Sequence, residues 1–291
     1  MLHPLMLGCA ALFMVDRRLP REQFAEELSA VVEALAPLPG MRDRLLTKLG
    51  EEISAGDDAF QEATLAAIGE FAGQASIMEK AQLCRCWLAA LLRDDSYSFA
   101  ECSLLGRMGT ALELLPGQQL QFVATQMVPL FALDPGPPHP PAEDPGPLLP
   151  LEREAMRAAG WAMVLGCTTV AFADGAIVGA ETDYLVEALV ELGLPVDMIE
   201  ALVADCGALL VDGEVAFATV TATTLPAFAA TASEPLVAKA FTLLLGIGAS
   251  DGAWDYAEFD AINLLGNALG LSLSKQLFHL ISWRLGWEGQ D

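Results

Sequence analysis

The stretches Ala173-Asp-Gly-Ala-Ile-Val-Gly-Ala-Glu181 and Ser250-Asp-Gly-Ala-Trp-Asp-Tyr-Ala-Glu258 share one punctuation: an Asp-Gly pair with a glutamate seven places after the aspartate. An apolar run suited to a buried helix precedes each. Helical periodicity follows each and stops at the same signal, Leu192-Gly193-Leu194 or Leu269-Gly270-Leu271, 77 residues apart. Weaker copies stand earlier in the chain. Leu88 to Asp94 leads into Asp95-Ser-Tyr-Ser-Phe-Ala-Glu101 and ends at Leu114-Leu-Pro-Gly117, and Ala10 to Asp16 leads into Glu22 and Gln23 and ends near Pro39. The marker aspartates Asp16, Asp94, Asp174 and Asp251 are spaced by 78, 80 and 77 residues. A period held over four units argues for duplication of a paired module.

Helix punctuation fits the repeat. Ser76-Ile-Met-Glu79, Ser98-Phe-Ala-Glu101 and Asp255-Tyr-Ala-Glu258 each place a side-chain acceptor at an N-cap and a carboxylate at N3. Pro20, Pro195 and Pro235 suit helix beginnings, where the missing amide costs little. Phe259, Ile262 and Leu269 fall near one side of a helix, and Leu185, Leu189 and Leu192 do the same in the preceding unit. Further helices are expected near 196–210 and 215–231. No sustained alternation compels a strand, so the sequence predicts an all-α fold.

The segment 134–150 holds eight of the 17 prolines and reads as a linker. It separates residues 1–133, of formal charge -7, from residues 151–291, of formal charge -14. Each flanking segment is expected to be a helical domain built from two units. The whole chain of 291 residues carries -24, which repels nucleic acid phosphates and anionic lipid and favours cations and basic partners. The apolar run Ala158 to Ala173 is too short to cross a membrane and reads as a buried helix, and no membrane insertion is expected. Leu5 to Val15 lacks a basic leader and a small-residue cleavage site. With six thinly spread cysteines, a reduced cytoplasm is the expected location.

The two Asp-Gly turns, their glutamates and the Leu-Gly-Leu stops resemble the paired halves of the TerB family of tellurite-resistance-associated proteins, over residues 151 to about 285. Residues 1–133 resemble the same domain more loosely. Asp95 stands where the stronger copies have Gly175 and Gly252, and Arg17, Arg18 and Arg21 surround Asp16. The resemblance implies tandem helical bundles, each internally duplicated, with the acidic turns of the two halves facing one another. It also implies a role in a stress or tellurite-response system.

Asp174, Glu181, Asp251 and Glu258 would supply several hard oxygen donors, suited to calcium or magnesium. The spacing is not that of an EF-hand loop, so coordination would come from two separate turns. Asp183, Asp255 and Asp260 are auxiliary acids. An ordinary turn at Asp-Gly and a capping box at Glu258 account for the same residues structurally. Cys9, Cys86 and Cys167 lie in apolar runs and read as packing, His3, His139 and His279 have no zinc spacing, and Leu245-Gly-Ile-Gly248 reads as close helix contact. The expected function is non-enzymatic: a module that binds a divalent cation, a protein partner or a second copy of itself through its acidic carboxyl-terminal domain. The alternative is a metal-dependent hydrolase using the same paired carboxylates.

Overall fold

The computed structural model describes residues 2–15, 47–51, 53–54, 56–92, 97–131, 152–175, 177, 179–250 and 255–285, with the backbone alone for 2 and 127–131. The chain is all-helical, and among the described residues no strand occurs. It divides into two compact units, Met1–Leu133 and Asp134–Asp291. Of the features singled out in the sequence, Asp16 to Gln23, Pro39, Asp94, Asp95, His139 and the rest of 134–150, Asp251 and Gly252 lie outside the described residues.

In the first unit α1 (Leu2–Val15) packs on α2 (Asp57–Ala72), α3 (Ile77–Leu91) and α4 (Phe99–Ala111), and α5 (Pro116–Phe131) packs on α3 and α4. The α1 sequence LHPLMLGCAALFMV has no charged residue, so a single apolar stripe would leave most of it unfavourably wetted. It is a core helix instead, with Leu5, Met6, Leu7 and Leu12 buried. Its crossing with α3 is set by one small residue. A Cβ added at Gly8 would stand 2.1 Å from Trp87 Nε1. The indole is fully buried there, and its N–H donates to the Leu5 carbonyl at 3.2 Å, which satisfies the one polar atom of the ring.

The second unit comprises α6 (Arg153–Ala171), α7 (Gly179–Glu191), α8 (Val196–Asp212), α9 (Glu214–Ala229), α10 (Glu234–Ile247), α11 (Tyr256–Ala268) and α12 (Leu273–Leu285). α6 packs on α7, α8, α9, α10 and α11, and α10 on α6, α7, α11 and α12. The first half of this unit, α6 to α8, and the second, α10 to α12, are interlocked, because α7 packs on α10 and α11 packs on α6. Tyr184 of α7 seals one of these contacts: a Cβ at Gly246 would meet its Oη at 1.9 Å, so Gly246 lies in close helix contact. Gly166 likewise lies under Leu244, at a wider 3.0 Å.

Local physics sets the ends. The Ser76, Ser98 and Asp255 capping boxes all form, each pairing the cap with a glutamate at N3. Pro195 caps α8, and Pro235 lies in the first turn of α10. At Gly193 and Gly270 φ is 89° and 77°, a left-handed turn that glycine adopts without steric cost. The residue after each turn donates back into the helix, Leu194 to the Leu189 carbonyl at 3.1 Å and Leu271 to the Gly266 carbonyl at 2.9 Å. This corrects one detail of the expected core. Leu185 and Leu189 are buried, but Leu192 is only half-buried; the turn swings Leu194 into the inner place at 3% exposure.

Helix bounds recur across the units. Asp57–Ala72 and Glu214–Ala229 begin and end 157 residues apart, as do Phe99–Ala111 and Tyr256–Ala268. The same offset relates a buried contact. The side chain of Gln119 occupies the space beside Gly109 and donates to the Leu114 carbonyl; that of Gln276 occupies the space beside Gly266 and donates to the Leu271 carbonyl.

Candidate cation site and acidic surface

The expected site residues that are described fall in two environments. Asp174 is exposed in the turn that leaves α6, next to Gly175 at φ 97°. Glu181, third residue of α7, and Glu258, third residue of α11, are both buried at 4% exposure. Asp251 lies outside the described residues. Glu101 at N3 of α4 is buried as well, at 5%. An N3 carboxylate is favoured by unpaired amides and by the positive end of the helix dipole, which offset part of the cost of taking it out of water. The cap uses these groups unequally. Glu101 Oε2 accepts the Ser98 N–H at 2.7 Å and the Ser98 hydroxyl at 2.8 Å, whereas Glu258 Oε2 accepts the Asp255 N–H at 3.3 Å. Asp255 is tied to its own helix start, accepting the Ala257 N–H at 2.7 Å.

The starting points of the two acidic turns adjoin. A Cβ at Gly248, just past α10, would lie 3.6 Å from Val170 Cγ1 near the end of α6 and 3.8 Å from Glu258 Cβ. Both turns therefore leave neighbouring helix ends, and their glutamates return on helices packed across the halves. Among the described residues, no three His, Cys, Asp or Glu side chains form a metal-binding group.

The cysteines are packing residues. All six are free, and burial pushes the Cys9, Cys84 and Cys167 thiols up to about 12, which keeps them protonated and weakly nucleophilic. The void lined by Met163, Gly166, Leu225, Phe228 and Leu244 is apolar and about the size of a water molecule, so it offers no polar group to orient a substrate. Among the described residues, no helix is long and apolar enough to cross a membrane.

Three basic side chains on the surface of the second unit are held in ion pairs. Arg153 pairs with Asp197 at 2.7 Å, Arg157 with Asp205 at 2.6 Å and Lys275 with Glu234 at 2.6 Å. Asp183, Glu187 and Glu191 on α7 are exposed and, among the described residues, form no such pair. The sequence marks Asp183 only as an auxiliary acid and does not reveal the row it belongs to. The spacing of four, read on a helix whose buried side was known, would have found it. No protein-family model, no curated protein and no solved structure matches this chain.

Proposed function

We propose that the chain is a non-enzymatic, TerB-like tandem helical module of a stress or tellurite-response system in the cytoplasm, whose acidic carboxyl-terminal unit binds a divalent cation, a protein partner, or both. The observation that carries this reading is the pair of buried N3 glutamates, Glu181 and Glu258, on helices that cross between the halves and follow turns leaving adjoining helix ends. Calcium or magnesium suits such oxygen donors. The six free thiols support a reducing compartment.

Calorimetric titration of calcium and magnesium into the full chain tests the cation part, at about 0.15 M monovalent salt to screen diffuse attraction. Saturable binding is expected, lost in Asp174→Asn/Asp251→Asn and kept in Asp16→Asn/Asp94→Asn. Undiminished binding by the first variant, with helicity preserved, would remove these aspartates as ligands.

A further inference from the structure

The outward face of α7 consists of two adjacent rows with a spacing of four residues. One row is Thr182, Val186 and Val190; the other is Asp183, Glu187 and Glu191, and all six are exposed. The valines are 37% and 46% exposed and stand side by side with the acids, on a helix whose other side is already seated on α10. The acidic row is costly as it stands, because like charges at i and i+4 repel along a helix and no basic residue in α7 relieves them. The corresponding helices lack such a row. Counting from the marker aspartates, the acidic positions become Ser103, Arg107 and Ala111 in α4 and Asp260, Leu264 and Ala268 in α11.

We propose that this face docks a basic amphipathic helix of a partner protein. Its lysines or arginines would lie along Asp183, Glu187 and Glu191, and its aliphatic residues along Val186 and Val190. The inference rests on the partner-binding reading above and names the partner by charge complementarity: a bare acidic row calls for cations, and the parallel valine row calls for an apolar row beside them. The two rows run for about 13 Å, which matches about two and a half helical turns, and rows four residues apart are the ridges that a second helix packs against. A free divalent ion would satisfy the acids and leave the valines wet.

The test uses the full chain and a fluorescently labelled 14-residue peptide of leucine and lysine arranged for one apolar and one basic helical face. A scrambled peptide of the same composition is its control. Binding is read by anisotropy at about 0.15 M salt, where diffuse attraction to a chain of this charge is largely screened. Three exposed ion pairs together give an expected loss on the order of tenfold in Asp183→Asn/Glu187→Gln/Glu191→Gln. Neutralising three other exposed acids of the same unit, Glu200→Gln/Asp212→Asn/Glu214→Gln, is expected to leave affinity within about twofold at this screening. Val186→Ser/Val190→Ser should weaken the amphipathic peptide and not the scrambled one. Equal loss in both acid variants, equal binding of both peptides, or no peptide binding would each overturn the proposal. Cation binding that persists without peptide binding would overturn this inference alone; absence of both would take the underlying reading with it.

Discussion

Helices α2 and α9 begin 157 residues apart and present the same inside with different outsides. Both start after a glycine in a conformation that side-chain-bearing residues avoid, Gly56 at φ 102°, ψ 157° and Gly213 at φ 113°, ψ 160°. Both bury a phenylalanine, a threonine and an aliphatic residue in one register, Phe60, Thr64 and Ile68 against Phe217, Thr221 and Leu225. Each buried threonine hydroxyl donates to the carbonyl four residues back, at 2.8 Å and 3.0 Å. Outside, α2 exposes Asp58, Glu62 and Glu70, where α9 exposes Val215, Thr219 and Ala227. What recurs is what touches the core or turns the backbone. The wet face is free to differ, so surface differences between the units are the place to look for differences in what they bind.

The comparison breaks first, if at all, at the helix crossings. Gly8→Ala drives a methyl into the buried Trp87 ring and should cost about 2–3 kcal/mol, the upper range for overpacking. Gly166→Ala meets a movable Leu244 methyl at 3.0 Å and a Leu225 methyl at an ordinary 3.7 Å, and alanine's better helix propensity of about 1 kcal/mol offsets the squeeze, leaving little net change. Denaturant unfolding of the full chain, with hydrogen exchange assigning the loss to one unit, measures both. Equal losses would mean that the two crossings are packed alike.

The helix stops should respond with opposite sign. Glu113 has φ 58° where the second unit has Gly270. Glu113→Gly should therefore stabilise by about 1 kcal/mol and Gly270→Glu destabilise by a similar amount, the cost of a left-handed conformation for a residue with a Cβ. Its ion pair with Lys80, at 3.5 Å and largely exposed on the glutamate side, is too weak to reverse the first sign.

Acid should separate a local cap from a tertiary pair. Backbone and side-chain hydrogen bonds from Ser76 hold Glu79 below its ordinary 4.5, and the hydrogen bond and charge of Lys275 hold Glu234 below the same value. Both folded values are depressed, so both contributions are present above pH 4.5 and are lost as pH falls through the lowered values. Adding salt at neutral pH should weaken the Glu234 contribution more than the Glu79 cap, whose hydrogen-bond partner Ser76 is uncharged. Comparing the stability of Glu79→Gln and Glu234→Gln with the native chain across pH and salt reads this difference. Identical salt responses would contradict it.

The smallest effect is expected on the faces that already differ. Val215→Asp/Thr219→Glu/Ala227→Glu gives α9 the charges of α2, and each change should stay within about 0.5 kcal/mol in thermal unfolding. A larger loss would show that the uncharged face of α9 is covered in solution.

Features that depend only on neighbours along the chain were legible in the sequence. Gly193 and Gly270 mark stops because the backbone there turns left-handed, and Ser98–Glu101 and Asp255–Glu258 mark starts because the cap needs only four residues. The helical period and the Asp-Gly register followed from the same short-range rules. Tertiary structure alone decided which side of each helix is wet. It buried Glu181 and Glu258, seated Trp87 over Gly8 and Gln276 beside Gly266, exchanged Leu192 for Leu194 in the core, and left Asp183, Glu187 and Glu191 in water. These outcomes depend on residues far away in sequence, above all on α7 packing across the halves onto α10. A pattern of apolar positions states that a face is buried, but the atoms that cover it, and the charges that remain uncovered, are set only when the helices meet.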